Sequence, residues 1–174
     1  MNGHLECAKI LAGEEEERNA LQFTDLITAA VCGDAEGVQQ HISQAGQKDA
    51  NGWTALMWSA CMGKLEHVKV LAPLEKGMKN KYGKTAMMCA ARYGHLECVK
   101  ILAPLEKGMK DSHGWTALMI AANWGRLKCV KFLASDEAGL RDNSGQTAMM
   151  KLVKNGEVAS VLSPFEASIA SYDG

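Results

Sequence analysis

Apolar residues in this chain fall in short bursts at helical spacing, separated by polar turns, and the bursts recur at a fixed interval. Val38, Val68, Val99, Val130 and Val161 hold one position of the pattern, and Leu56, Met87, Leu118 and Met149 another. Gly-x-Thr-Ala appears as Gly52-Trp53-Thr54-Ala55, Gly83-Lys84-Thr85-Ala86, Gly114-Trp115-Thr116-Ala117 and Gly145-Gln146-Thr147-Ala148, each copy 31 residues after the last. A second glycine series, Gly3, Gly33, Gly63, Gly94, Gly125 and Gly156, advances by 30, 30, 31, 31 and 31. Self-similarity at such a period marks an array of stacked supersecondary units.

Each unit predicts a turn and two short helices. Asp or Asn opens the turn and Gly closes it in Asp49–Gly52, Asn80–Gly83, Asp111–Gly114 and Asp142–Gly145, which is type I turn chemistry. Thr54, Thr85, Thr116 and Thr147 then stand where a helix wants its N-cap. The first helix is expected over about Ala55–Cys61, broken by Gly63. The second is expected over about Leu65–Ala72, stopped by Pro73 as Pro104 stops the next. Helices of about eight residues are marginal alone in water, so their apolar faces must be buried by neighbouring units. Ala90-Ala91 and Ala121-Ala122 keep the facing surface small enough for close approach. The result is a one-dimensional stack.

The stretch from Thr85 to Gly108, TAMMCAARYGHLECVKILAPLEKG, resembles the ankyrin repeat, whose motif runs Asp-x-x-Gly-x-Thr-Pro-Leu-His-x-Ala-Ala-x-x-Gly-His. The resemblance implies an all-α solenoid forming a single domain over 1–174. It divides into a partial half-repeat at 1–18 and five helix pairs at 24–48, 49–79, 80–110, 111–141 and 142–171. The units depart from the family in three ways. They are about two residues shorter than the usual ~33. Met57, Met88, Met119 and Met150 replace the motif's histidine, so thioether packing is expected where that histidine would hydrogen-bond. In the last unit Leu152-Val153 replaces the small pair and Pro164 arrives early, as in an imperfect terminal repeat. The chain opens mid-repeat at Asn2-Gly3 and closes on Tyr172-Asp173-Gly174, which resembles a further turn; a segment of a longer array or a short member with raw ends would both read this way.

For function, the resemblance implies non-catalytic protein–protein interaction through turn tips and the inner face of the first helices. Those places hold Trp53, Met62, Tyr82, Lys84, Arg92, Tyr93, His113, Trp115, Asn123 and Trp124, rich in the residue types that dominate binding when desolvated. The bland reading of Trp53 and Trp115 is packing across neighbouring turns, and Trp58 reads as structural. The alternative function is a structural spacer within a longer repeat array of a larger protein.

Composition narrows the partner. Apolar residues are 47% and charged residues 22% of 174, a globular balance. The net charge of -1 argues against a dedicated binder of nucleic acid or anionic membrane, because both carry a basic excess. No apolar run approaches the ~20 residues of a membrane span. The N-terminus has neither a signal core nor a myristoylation glycine. The expectation is a cytoplasmic monomer with a protein partner.

The candidate chemistry is thin. Gly83-Lys84-Thr85 has its earlier glycine one position too far away for a phosphate loop and follows helix rather than strand. His4 with Cys7 and His95 with Cys98 are i,i+3 pairs, but three stacked units separate the two pairs, too far to share a zinc ion. Cys98 and Cys129 occupy equivalent positions in adjacent units, ~8–10 Å apart, too far for a disulfide; with Cys7, Cys32, Cys61 and Cys89 they read as reduced. No nucleophile stands beside a base and no carboxylate pair stands out, so no enzyme, cofactor or metal site is expected. Glu14–Glu17 reads as a solvated run, and Glu6–Lys9, Glu66–Lys69 and Glu97–Lys100 as surface pairs. Lys48, Lys79, Lys110 and Arg141 form a row beside the turns that an acidic partner could read, but they are expected to pair loosely with Asp49, Asp111 and Asp142.

Overall fold

A computed structural model describes residues 21–150 and 159–165. The half-repeat at 1–18, the Glu6–Lys9 pair, Cys7, Glu14–Glu17 and the final helix pair's residues 151–158 and 166–171 lie outside the described residues. Four units are described through both helices. The first helices are α1 (Asp25–Cys32), α3 (Ala55–Cys61), α5 (Ala86–Tyr93) and α7 (Ala117–Asn123). The second helices are α2 (Ala35–Gln40), α4 (Leu65–Glu75), α6 (Leu96–Glu106) and α8 (Leu127–Glu137), with a short 3-10 turn at Ile42–Gln44 after α2. No strand occurs among the described residues.

First helices stack on first helices and second on second, and the first row packs more closely. Small side chains allow that approach: Ala60, Ala90, Ala91, Ala121 and Ala122 are all buried at the contact. Closer spacing in one layer bends the stack toward it, so turn tips and first helices line the concave side. The core runs between the layers as repeated columns. Leu56, Met87 and Leu118 form one, Val68, Val99 and Val130 another, and Leu71, Leu102 and Leu133 a third, all fully buried. Met57, Met88 and Met119 are buried as well, which agrees with packing by thioether at the histidine position. Met150 is exposed and leaves that column.

The turns form as their chemistry requires. Asp49 Oδ1 accepts from the N–H groups of Asn51 and Trp53 at 2.8 and 2.9 Å, and the Gly52 N–H donates to the Asp49 carbonyl at 2.9 Å. Asn80, Asp111 and Asp142 repeat the arrangement. Successive tips are also stitched together, with Lys81 N–H donating to the Asn51 carbonyl at 3.2 Å and Ser112 N–H to the Tyr82 carbonyl at 3.1 Å. Gly83 (φ +73°) sits at such a junction, where a Cβ would stand 2.6 Å from the Ser112 nitrogen. Only glycine fits there.

Two expectations are corrected. Pro73 and Pro104 do not end the second helices, which continue to Glu75 and Glu106. Each proline lies in the last turn on the exposed side, where a helical φ is already its own. α8 carries Ser135 at that place and is equally long. In α4 and α6 the end comes instead at Lys76 and Lys107, whose ψ of 139° and 143° turns the chain extended.

Lys48, Lys79 and Lys110, likewise, reach backbone carbonyls rather than Asp49 and Asp111. Lys48 Nζ donates to the Lys79 carbonyl at 2.8 Å, Lys79 Nζ to the Lys110 carbonyl at 2.7 Å, and Lys110 Nζ to the Arg141 carbonyl at 2.7 Å. Each side chain reaches one unit forward.

The extra helical turn delivers the buried carboxylates that the sequence did not reveal. Glu75, Glu106 and Glu137 are each only 1% exposed. Glu106 accepts from the Met87 N–H at 2.7 Å with one oxygen and from the Gly77 N–H at 3.0 Å with the other. Glu75 does the same with Leu56 and Gly46, and Glu137 with Leu118 and Gly108. Each carboxylate thus caps the start of its own first helix, where backbone donors lack partners, and holds the loop of the unit before.

Candidate protein-interaction surface

The ten candidate residues fall in two rows on the concave side, at opposite ends of the first helices. Trp53, Tyr82, Lys84, His113 and Trp115 lie at the turn end. Met62, Arg92, Tyr93, Asn123 and Trp124 lie at the C-terminal end. A helix of seven residues separates the rows by about 10 Å.

In the turn row Tyr82 is the prominent side chain, 56% exposed. Trp53 and Trp115 are half-buried and pack against the core, so the packing reading holds for much of their surface. Trp53 lies against Trp58, ring centroids 5.0 Å apart, and Phe23 meets the other side of the cluster edge-on at 5.5 Å. Trp58 Nε1–H donates to Asp49 Oδ2 at 3.0 Å, which fixes the indole to the turn and confirms its structural role. Lys84 is half-buried and His113 exposed.

The helix-end row is built by side chains reaching back one unit. His95 Nε2 lies 3.0 Å from the Cys61 carbonyl, and Arg126 Nε donates to the Arg92 carbonyl at 2.9 Å. Both cap carbonyls at the end of a first helix, which lack helical donors. The Arg92 guanidinium lies 4.6 Å from the centroid of Trp124 and 5.6 Å from that of Tyr93, and Tyr93 in turn stacks on His95 at 6.4 Å. Burial, with Cys61 next in weight, pushes the Tyr93 hydroxyl up to about 12, so it stays a neutral donor. Trp124 remains 44% exposed. Beside this row a pocket of about 220 Å³ is lined by Tyr93, Gly94, Arg126, Leu127, Lys128 and Cys129. Met62 is half-buried and Asn123 exposed.

A family model described as ankyrin repeats (3 copies) matches the chain three times, over residues 26–111, 72–144 and 104–173. The chain belongs to the ankyrin-repeat family. No curated protein matches it. Ankyrin repeats are generally protein–protein interaction modules, and the fold is typically non-catalytic.

The ankyrin frame explains what sequence reasoning missed here. Arg126 shares a column with Lys64 and His95, each directly after a unit's second glycine, and that column was the available signal. His95, which the sequence sets one helical turn from Cys98, is turned toward Cys61 and Tyr93 instead. Cys98 and Cys129 are fully buried, and burial pushes both thiols up to about 11. No cluster of three or more metal-ligating side chains occurs among the described residues, and no helix among them is long and apolar enough to cross a membrane.

Proposed function

We propose that this ankyrin-repeat chain is a non-catalytic binding module that holds a protein partner on its concave side, as a cytoplasmic monomer. The observation that carries the reading is the Arg92–Trp124 pair. A large indole, 44% exposed, is held in one orientation by a cation at 4.6 Å, so little rotamer freedom is lost when a partner covers it. Tyr82 presents a second exposed aromatic from the turn row. The backbone beneath both is fixed by bonds between units, which makes the surface preformed. A reducing compartment suits the buried thiols of Cys89, Cys98 and Cys129.

The test is capture from lysate with wild type and with Tyr82→Ala/Trp124→Ala, after both show equal helicity and melting. A protein retained by wild type and lost by the variant supports the surface. Equal retention places the interface elsewhere, and capture by neither favours the spacer role.

A further inference from the structure

The near-neutral net charge conceals a segregation by face. In the three units from Asp49 to Arg126, the turns, first helices and following loops carry Lys64, Lys81, Lys84, Arg92 and Arg126. The only acids on those segments are Asp49 and Asp111, and both spend Oδ1 on two turn N–H groups. The ion pairs among the described residues, Lys69–Glu66, Lys100–Glu97 and Lys107–Asp136, all lie away from this side, on the second helices and the loops that follow them. None draws on the concave cations. The pocket bordered by Tyr93 continues the trend, since Arg126 and Lys128 line it and no acid does.

We propose that this side binds an extended acidic segment of a partner protein, with carboxylates at every third residue meeting the cations of successive units. The proposal rests on the protein-binding reading above and names the partner's chemistry. Charge and spacing lead to it. Five cations against two acids on these segments leave a positive excess, which a concave wall focuses on anionic ligands. Stacked helices repeat every ~8–10 Å, and an extended polyproline-type chain advances about 9 Å in three residues, so one side chain in three faces each unit.

The aromatic geometry separates a peptide from a single-stranded nucleic acid. Base stacking needs open ring faces, but Arg92 covers one face of Trp124, Trp53 and Trp58 cover each other, and Tyr93 lies on His95. Tyr82 and Trp124 stay 56% and 44% exposed beside these cations, which suits carboxylates and peptide groups.

The experiment is fluorescence anisotropy with a labelled peptide bearing Glu at every third position. It is titrated with wild type, Lys84→Glu/Arg92→Glu and the milder Lys81→Gln/Lys84→Gln, all checked by circular dichroism. A Lys-for-Glu peptide and an oligothymidine of equal charge serve as competitors. Saturable binding is expected, weakened at least about tenfold by the charge reversal, two- to fivefold by the milder pair, and about tenfold between 0.05 and 0.3 M salt. Absence of binding at low salt, equal binding of the Lys peptide or of the charge-reversed protein, or tighter binding of the oligonucleotide overturns it. A doubled mass of the protein alone in light scattering assigns the face to a second copy and overturns it too. A wild type that ignores the acidic peptide, yet captures a lysate protein through Tyr82 and Trp124, sinks the acidic class and leaves the binding function standing.

Discussion

At the scale of single residues, the decisive side chains are the three glutamates that sequence reading passed over. Glu106 looks like surface charge in Leu-Glu-Lys-Gly, because a glutamate before a lysine and a glycine is ordinarily solvated. Its burial is visible only once the helix is known to run past Pro104. Gln44 supplies a natural comparison at the same position of the first described unit: its Oε1 accepts from the Leu26 N–H at 3.0 Å, and its Nε2 donates to Asp25 Oδ2 at 3.2 Å. An amide therefore serves there with one backbone bond and needs an acid to receive its own donor. At Glu106 both partners are backbone donors. Glu106→Ala should leave the buried Met87 N–H and the part-buried Gly77 N–H unmatched, at about 1–3 kcal/mol each, for a total of about 2–6 kcal/mol. Glu106→Gln should fall between, since its amide nitrogen would face an N–H. Urea denaturation midpoints check both, and a loss below about 1 kcal/mol for alanine would mean the clamp is not stabilising.

At the scale of elements, the sequence predicted the turns and first helices well because their signals are local. An Asx side chain, a glycine and a threonine cap act within five residues, and each forms as expected in most units. The second-helix ends were misjudged because their cause is not local: the last turn persists since its glutamate is received by groups 19 and 29 residues away. The caps themselves differ between units. Thr54 and Thr116 accept from the Met57 and Met119 N–H groups at 3.4 Å, whereas the Thr85 hydroxyl is buried with no partner. Thr54→Val should therefore cost about 1 kcal/mol as a lost cap. Thr85→Val should be neutral or stabilising, because it removes a buried polar group that makes no bond. Thermal melts of the two single variants decide the matter, and equal losses would refute the distinction. The same contrast applies to the candidate surface. Its positions were legible as the variable columns of the repeat, but its division into two rows, and the guanidinium held over Trp124, depend on side chains reaching between units.

At the scale of the whole molecule, four kinds of bond cross the unit boundaries: turn-tip stitches, lysine-to-carbonyl bonds, caps from the residue after the second glycine, and the glutamate clamps. All of them join nearest neighbours, so stability should follow a chain of coupled units rather than one undivided core. Gly83 and Gly108 offer a direct test, because their φ values of +73° and +74° impose the same strain on an alanine while their surroundings differ. At Gly108 an added Cβ meets nothing within 4 Å, whereas at Gly83 it stands 2.6 Å from the Ser112 nitrogen of the next turn. Gly108→Ala should cost the left-handed penalty alone, about 1–2 kcal/mol, and keep a single sharp urea transition. Gly83→Ala should cost that and also push the turn at Asp111 away, breaking the Ser112–Tyr82 stitch. Its transition should broaden with a smaller m-value, and amide exchange in α7 and α8 should accelerate before that in α3 and α4. If both variants shift alike and stay cooperative, the turn tips do not couple the array, and the rigidity assigned to the concave surface must come from the helices alone.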